Sequence, residues 1–168
     1  MIDIDYINSV APYRLSQAAN HMFYEFKTDF GVKYSVGFME DDGLLSVEAF
    51  HFVIANVNNL ASPSDDKVRT TIMYVLESFF TLHNTIMLYI CETGDGKQAM
   101  RSRLFNHWFS LFDQHKEFTC VSASVIDEDG EMNYATLISR NDNPNLAKAL
   151  ADFSETIAAM NSKPNSNF

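Results

Sequence analysis

The sequence predicts an α+β protein: a mixed, mainly antiparallel sheet of six strands with three main helices packed against it. Three observations lead to this class. Residues 47–57 and 85–91 are apolar on both faces, which is typical of strands inside a sheet. Pairs of alternating segments flank short glycine-containing turns, and three other segments repeat their apolar residues at helical spacing. The predicted order of elements is β-β-β-α-β-α-β-β-α.

The first strands follow a weakly patterned N-terminal segment. Within residues 1–21, only the stretch 14–21 fits a short helix. Residues 23–28 and 32–39 then alternate between apolar and polar side chains, across a loop that ends in Gly31. Glycine accepts the positive φ that tight turns need, so these two segments predict a β-hairpin. The doubly apolar third strand follows it.

The first main helix has a start signal of its own. Ser62 is placed to cap it, and Pro63 suits the first helical position because that residue needs no N–H donor. Asp65 is placed to close a reciprocal capping bond while it faces the positive end of the helix dipole. Apolar residues at helical spacing then continue to about residue 82.

The second half of the chain predicts two more helices and a hairpin. A helix begins at the loop 95–98 and runs to about residue 115. Its apolar stripe consists of Met100, Leu104, Trp108 and Leu111. Residues 118–126 and 132–139 predict the last hairpin, across an acidic turn. Asn143 and Pro144 open the third helix.

Length and charge limit the classes of protein that the chain can represent. A single domain over residues 1–160 is expected, followed by a polar tail at 161–168, because 168 residues suit one domain and no linker or repeat interrupts the pattern. The formal net charge of −10 argues against nonspecific binding to nucleic acid or to anionic membranes. No segment resembles a membrane span or a signal peptide, so a cytoplasmic location is predicted.

The residue types that usually carry chemistry show no established pattern. Cys91 and Cys120 lie in apolar strand-like segments, which predicts buried free thiols. Cys91 is also a candidate nucleophile, since a helix N-terminus close to it would lower its pKa. The five histidines lack the spacing of metal ligands, and the acidic turns at 40–42 and 127–131 read as solvated hairpin tips. No catalytic residue, cofactor or metal site is predicted.

Segment 92–103 is the strongest candidate for a binding site. It leaves the C-terminal end of a predicted central strand and enters a helix, where free backbone N–H groups attract anions. The candidate residues are Asp95, Lys97, Arg101 and Arg103. The three cations lie where the helix dipole disfavours positive charge, so they predict a site for a small anionic ligand that carries a phosphate or a carboxylate. The alternative is that nearby acids pair with them on the surface.

Aromatic side chains surround most of the helix that follows this segment. They are Phe105, Trp108, Phe109 and Phe112. Such a helix is either covered on several sides by its own core or lies against a partner. The aromatic surface therefore predicts either core packing or an interface for a homodimer or another protein.

Three sequence motifs carry a first resemblance. Residues 89–109 read Tyr-Ile-Cys-Glu-x-x-Asp-Gly-x-Gln-x-x-Arg-x-Arg-Leu-Phe-x-x-Trp-Phe. Residues 24–34 read Tyr-x-Phe-x-Thr-x-x-Gly-x-x-Tyr, and residues 140–144 read Arg-Asn-x-Asn-Pro. The set resembles an uncharacterised family of short bacterial proteins, a domain of unknown function. The resemblance covers nearly the whole chain and implies no known activity.

The order of elements carries a second resemblance, to the acyl-CoA N-acetyltransferase fold. That resemblance implies a glycine-rich loop that holds the pyrophosphate at the start of the first helix, and a tyrosine as general acid. The corresponding segment 61–71 has no glycine and carries Asp65 and Asp66. The position of the general acid falls near Phe105, which has no proton to donate. The N-acetyltransferase-like motifs are therefore degenerate.

These observations predict a non-enzymatic regulatory or interaction protein on a degenerate acetyltransferase-like scaffold. The alternative is an acyltransferase or another transferase that binds a phosphate-containing ligand through the 92–103 loop.

Overall fold

Seven strands form one mixed sheet in the computed structural model, which describes residues 1–91 and 96–162. The strands are β1 Ser16–Gln17, β2 Phe23–Lys27, β3 Lys33–Glu40, β4 Ala49–Asn56, β5 Ile86–Cys91, β6 Phe118–Ile126 and β7 Met132–Arg140. The helices are α1 Ile4–Val10, α2 Asp66–Leu82, α3 Gln98–Phe112 and α4 Leu146–Asn161. The strand order is β1-β2-β3-β4-β5-β7-β6. The α+β class and the inner positions of β4 and β5 are confirmed.

The predicted counts of six strands and three helices were each one too low, because the N-terminal segment was misread. Its helix is α1, where the Asp3 side chain accepts a hydrogen bond from the Tyr6 N–H (2.9 Å), and residues 14–21 are not helical. The Asn8 carboxamide instead bonds both backbone groups of Leu15, which holds the chain extended. The two-residue strand β1 follows and pairs with β2. Elements this short show no hydrophobic period.

The chain divides into two compact units. The first comprises Met1–Met39 and Phe52–Asn84, and the second comprises Glu40–His51 and Thr85–Phe168. Whether residues 1–160 behave as a single domain stays a prediction. Of the predicted polar tail, Asn161 ends α4 and residues 163–168 lie outside the described residues.

The first unit packs the inner face of α2 onto aromatic side chains. The ring of Phe79 stacks on that of Phe38 at 4.0 Å, and Phe38 contacts Phe52 at 5.3 Å. The helix begins later than predicted. Its cap is Asp65, because the hydroxyl of Ser62 is hydrogen-bonded to that of Tyr34 (2.5 Å).

The second unit has three layers, with α3 and α4 on opposite faces of the β5-β7-β6 sheet. The ring of Tyr89 lies 4.0 Å from that of Phe105 on α3. The neighbouring side chain of Leu88 belongs instead to a core cluster with Ala149 and Phe153 of α4. Successive residues of a strand point to opposite faces, so the two helices cover different sides.

The apolar stripe predicted for α3 is not its buried face. Of its four members, Met100, Leu104 and Leu111 are 53%, 43% and 45% exposed, and Trp108 is half-buried. The buried residues of α3 are Gln98, Ser102, Phe105 and Phe109. The helix carries apolar side chains on two opposite sides, and periodicity alone does not tell which side meets the sheet.

Strand β6 forms one edge of the sheet, and α4 reaches its end. The Asn161 side chain accepts a hydrogen bond from the N–H of Ile126 (3.0 Å) and donates one to the carbonyl of Ser124 (3.0 Å). The backbone groups of residues 117 and 127 are hydrogen-bonded to the β7 side of the hairpin. Hydrogen-bonded pairs alternate along an antiparallel ladder, so the odd-numbered residues bond β7 and the even-numbered residues of β6 direct their N–H and C=O groups away from it. Asn161 therefore occupies the outward groups at one end of this edge.

Candidate functional site

The candidate site lies where β5 ends and α3 begins, and we call it the β5–α3 corner. It comprises Tyr89, Cys91, Lys97, Gln98 and Arg101. Tyr89 and Cys91 are two positions apart on β5, so both point to the face that α3 covers. Arg101 closes the first turn of α3, with its N–H bonded to the carbonyl of Lys97 (3.0 Å).

Burial keeps the thiol and the phenol of this corner neutral. It raises the pKa of Cys91, although the hydrogen bond with Tyr89 and the charge of Arg101 both act to lower it. Burial also raises the pKa of Tyr89, with a further contribution from Cys91 and an opposing one from Arg101. The expectation that a nearby helix N-terminus lowers the pKa of Cys91 was wrong, because desolvation outweighs it. The raised pKa values disfavour the thiolate and the phenolate, which are the nucleophilic forms of these groups.

The predicted cations do not form one cluster. Arg101 is half-buried, and its charge acts on both Tyr89 and Cys91. Lys97 is four positions away and so lies on the same side of α3. Arg103 is exposed and lies about 200° around the helix from Arg101. The fourth candidate, Asp95, lies outside the described residues.

Gln98 adds a polar group that the sequence analysis did not single out. It is the first residue of α3 and is only 4% exposed. Its Oε1 atom is buried without a hydrogen-bond partner. A buried acceptor without a partner costs about 1–3 kcal/mol. Nothing in the local sequence distinguishes this glutamine from an exposed one, since its burial depends on how α3 packs.

The N-cap residue of α3 provides no side-chain cap. Lys97 stands at the N-cap position and makes no capping hydrogen bond with its side chain. The corner thus combines helix amides, one half-buried guanidinium and an unpartnered carboxamide oxygen. These groups suit the binding of a small anion that also carries a hydrogen-bond donor, and they do not supply acid–base chemistry.

The start of α2, in the other unit, is occupied by the protein's own acids. The carboxylate of Asp65 accepts hydrogen bonds from the Lys67 N–H (2.9 Å) and from the Tyr13 hydroxyl (2.6 Å). Asp66 adds a second, exposed carboxylate in the first turn. An anion that approached this helix start would therefore meet two carboxylates and a backbone N–H group that is already capped.

Sequence reasoning missed a buried carboxylate at Asp41, because it read the acidic turn there as solvated. The side chain of Asp41 is 1% exposed and accepts from Nε2 of His51 (2.8 Å). Burial acts to raise its pKa, but the hydrogen bonds from His51 and from the N–H groups of Leu45 and Leu44 outweigh it, so the pKa is lowered. The carboxylate holds the turn between β3 and β4.

Other chemistry-bearing residues are accounted for by the fold. Asp127 accepts hydrogen bonds from the N–H groups of Asp129 (3.0 Å) and Glu131 (2.9 Å), as expected of a hairpin tip. Both cysteines are free, but Cys120 is exposed rather than buried because it lies on the edge strand. Among the described residues, no cluster of three or more His, Cys, Asp and Glu side chains is placed to hold a metal ion. No described helix is long and apolar enough to cross a membrane.

Comparison with known proteins gives a family and no activity. Residues 64–155, more than half of the chain, match the model of a family of unknown function (DUF6169). No curated protein and no solved structure matches the chain. The matched range includes α2, β5, α3 and the β6–β7 hairpin, so it covers both helix starts described above. The expectation of an uncharacterised family is confirmed: the chain belongs to the family of unknown function DUF6169.

Proposed function

We propose that the protein is a non-enzymatic regulatory or interaction protein on an acetyltransferase-like scaffold that has lost the binding site for acyl-CoA. The succession β2-β3-β4-α2-β5-α3-β6-β7 keeps the order of elements on which the resemblance rests. The additions to that order are α1, β1 and α4. Fold analogy alone does not assign function, so the argument depends on the two places where that family would carry its chemistry.

The observation that carries the proposal is the occupied start of α2. In the resembling family, the amides at this helix start hold a pyrophosphate. Here the Asp65 carboxylate already accepts the Lys67 N–H, and Asp66 places another negative charge beside it. A pyrophosphate would have to displace the cap and approach two carboxylates, each of which repels it.

The position of the general acid supports the same conclusion. Phe105 is 3% exposed and packs against Tyr89. It has no proton to donate, and the raised pKa of Tyr89 keeps that phenol protonated and a poor acid. Neither Phe105 nor Tyr89 is therefore suited to protonate a leaving thiolate.

Titration with acetyl-CoA tests the proposal by thermal denaturation of the full chain. We expect no shift in the melting temperature, whereas a ligand at one hundred times its Kd would stabilise the protein by about 2.7 kcal/mol. The matched variant is Asp65→Ser with Asp66→Ser, which keeps a capping side chain and removes both charges. Saturable stabilisation of the wild-type chain by acetyl-CoA would overturn the proposal.

A second candidate function, a transferase that binds a phosphate-containing ligand at the β5–α3 corner, is favoured by Gln98 and Arg101. Calorimetric titration with inorganic phosphate and pyrophosphate tests it. Binding there should weaken at least tenfold in Arg101→Ala and change little in Arg103→Ala, because Arg103 points to another side of α3. Equal affinities in the wild type and both variants would remove this candidate.

A further inference from the structure

The outer edge of β6 is occupied by the protein's own side chains on both sides of its middle. Near the start of the strand, the carboxylate of Asp113 accepts the N–H of Phe118 (3.3 Å). Near the end, Asn161 bonds the C=O of Ser124 and the N–H of Ile126 (both 3.0 Å). All three backbone groups belong to even-numbered residues, which direct them away from β7. The outward groups that are still open therefore lie between these contacts.

The open part of the edge comprises residues 120–122. Cys120 and Ser122 are even-numbered, so the N–H and C=O groups of both point away from β7. Among the described residues, no loop or side chain hydrogen-bonds to these four backbone groups. Both residues are exposed, and Val121 between them is 39% exposed. Unpaired donors and acceptors along an exposed edge are the groups to which another strand binds.

The open groups are symmetric about Val121, and this symmetry fits a second copy of the same strand. Two residues of an antiparallel pair exchange two hydrogen bonds when their backbone groups face each other. With a two-fold axis at Val121, Cys120 of each copy lies opposite Ser122 of the other. Both pairs then exchange their bonds, and every open group of the two copies is satisfied.

The same register explains where the pairing would end. The next pair outward would join Phe118 of one copy to Ser124 of the other. There the N–H of Phe118 is already bonded to Asp113, and the C=O of Ser124 is already bonded to Asn161. The intermolecular ladder is therefore as long as the open part of the edge, and it displaces none of the protein's own contacts.

Ion pairs do not contribute to this choice of partner. Strand β6 carries no charged side chain. The segments that flank it contain mainly acids, with Lys116 as a cation beside Asp113 and Glu117 on one side and the acidic turn 127–131 on the other. These charges select no direction, and the excess of acids repels a second copy. The arrangement of backbone hydrogen bonds alone sets the direction and the register.

We propose that β6 pairs antiparallel with β6 of a second copy of this chain, through residues 120–122. The inference rests on the proposed function as an interaction protein, for which it names the partner. A paired segment of roughly 10 Å buries less surface than a standard stable interface. The dimer is therefore weak and reversible.

Sedimentation velocity of the full chain, from low micromolar to submillimolar concentration, tests the association. We expect a concentration-dependent dimer for the wild type and at least a tenfold weaker one for Cys120→Pro, which removes an outward N–H and leaves the bonds to β7 in place. The matched control is Cys120→Ser, which keeps that N–H and should dimerise like the wild type. Equal dimerisation of the two variants would contradict the inference. A wild-type chain that stays monomeric throughout would also refute it and leave the edge to a strand of another protein.

Disulfide trapping tests the register and does not depend on how the proline variant folds. Val121→Cys is prepared in a Cys120→Ser background, which removes the exposed native thiol. Two cysteines on the axis form a non-hydrogen-bonded pair with Cα atoms about 4.5 Å apart, within the range of a disulfide. The control is Ile126→Cys in the same background, since Ile126 is 42% exposed on the same strand but lies far from its counterpart in this register.

After mild oxidation, intact-mass analysis should show mainly the disulfide-linked dimer for Val121→Cys and mainly monomer for Ile126→Cys. Equal yields from the two variants, or no dimer from Val121→Cys, would rule out the proposed register. Acetyl-CoA binding, in contrast, would overturn only the proposed function, so the two failures are distinguishable.

Discussion

Helices α2 and α3 begin in opposite ways, although both leave several backbone N–H groups without intrahelical partners. The start of α2 is closed by the carboxylate of Asp65, which binds the Lys67 N–H. At the start of α3, Lys97 provides no side-chain cap, and Arg101 brings another positive charge into the first turn. The comparison shows that one or two side chains decide whether a helix start carries negative or positive charge.

The difference in charge between the two helix starts affects how strongly each one attracts or repels an anion. A carboxylate at the N-cap satisfies amide donors and complements the dipole, so it stabilises the helix and repels other anions. Cations at the same position give up that stabilisation and add attraction for an anion.

Removal of the cap of α2 should have the largest effect on stability. Asp65→Ala loses the bond from Lys67 and leaves the hydroxyl of the buried Tyr13 without its acceptor. We expect the free energy of unfolding to fall by about 2 kcal/mol in urea denaturation. Asp66→Ala is the control, since its side chain is 84% exposed and should cost under about 0.5 kcal/mol. Equal losses in the two variants would contradict the capping role of Asp65.

A change at Gln98 tests the same comparison at the start of α3. Gln98→Met keeps an unbranched side chain of similar size and removes the buried, unpartnered oxygen. The variant should be more stable by about 1 kcal/mol in the same denaturation assay. Gln114→Met, at an exposed position, should leave stability unchanged. A clear loss of stability in Gln98→Met would mean that the carboxamide has a partner in solution.

The smallest expected effect is the introduction of a cap at α3. Lys97→Ser supplies a capping hydroxyl and removes a cation from the positive end of the helix dipole, so it should stabilise the protein by about 0.5 kcal/mol. Lys27→Ser, at the exposed end of β2, controls for the loss of one positive charge. Unequal slopes of the denaturation curves would show that the variants differ in more than stability. A destabilised Lys97→Ser would contradict the contrast between the two helix starts.

The fold class could be predicted from local pattern, and the errors arose where long-range contacts decide. Strands β4 and β5 follow from segments that are apolar on both faces, and their inner positions are confirmed. The start of α2 was misplaced because Ser62 is engaged by Tyr34, a residue far away in the sequence. No rule based on neighbouring residues detects such competition.

The candidate site could be predicted only in part, again because long-range contacts decide which residues are buried. The pattern located the loop and its cations, but it did not show that Arg101 and Arg103 lie on different sides of α3. The burial of Gln98 and of Asp41 depends on packing and on hydrogen bonds formed only in the folded chain. Periodicity predicted an apolar stripe of Met100, Leu104, Trp108 and Leu111, but it did not show that Met100, Leu104 and Leu111 are exposed.

The contact between Asn161 and β6 has a consequence for aggregation. An unprotected edge strand is a template on which strands of other molecules add, and β6 has no charged residue or proline along its length to prevent this. The carboxamide of Asn161 imitates a neighbouring strand at Ser124 and Ile126, so an incoming chain cannot pair with these two backbone groups. One amide side chain thus protects this end of the edge from strand addition.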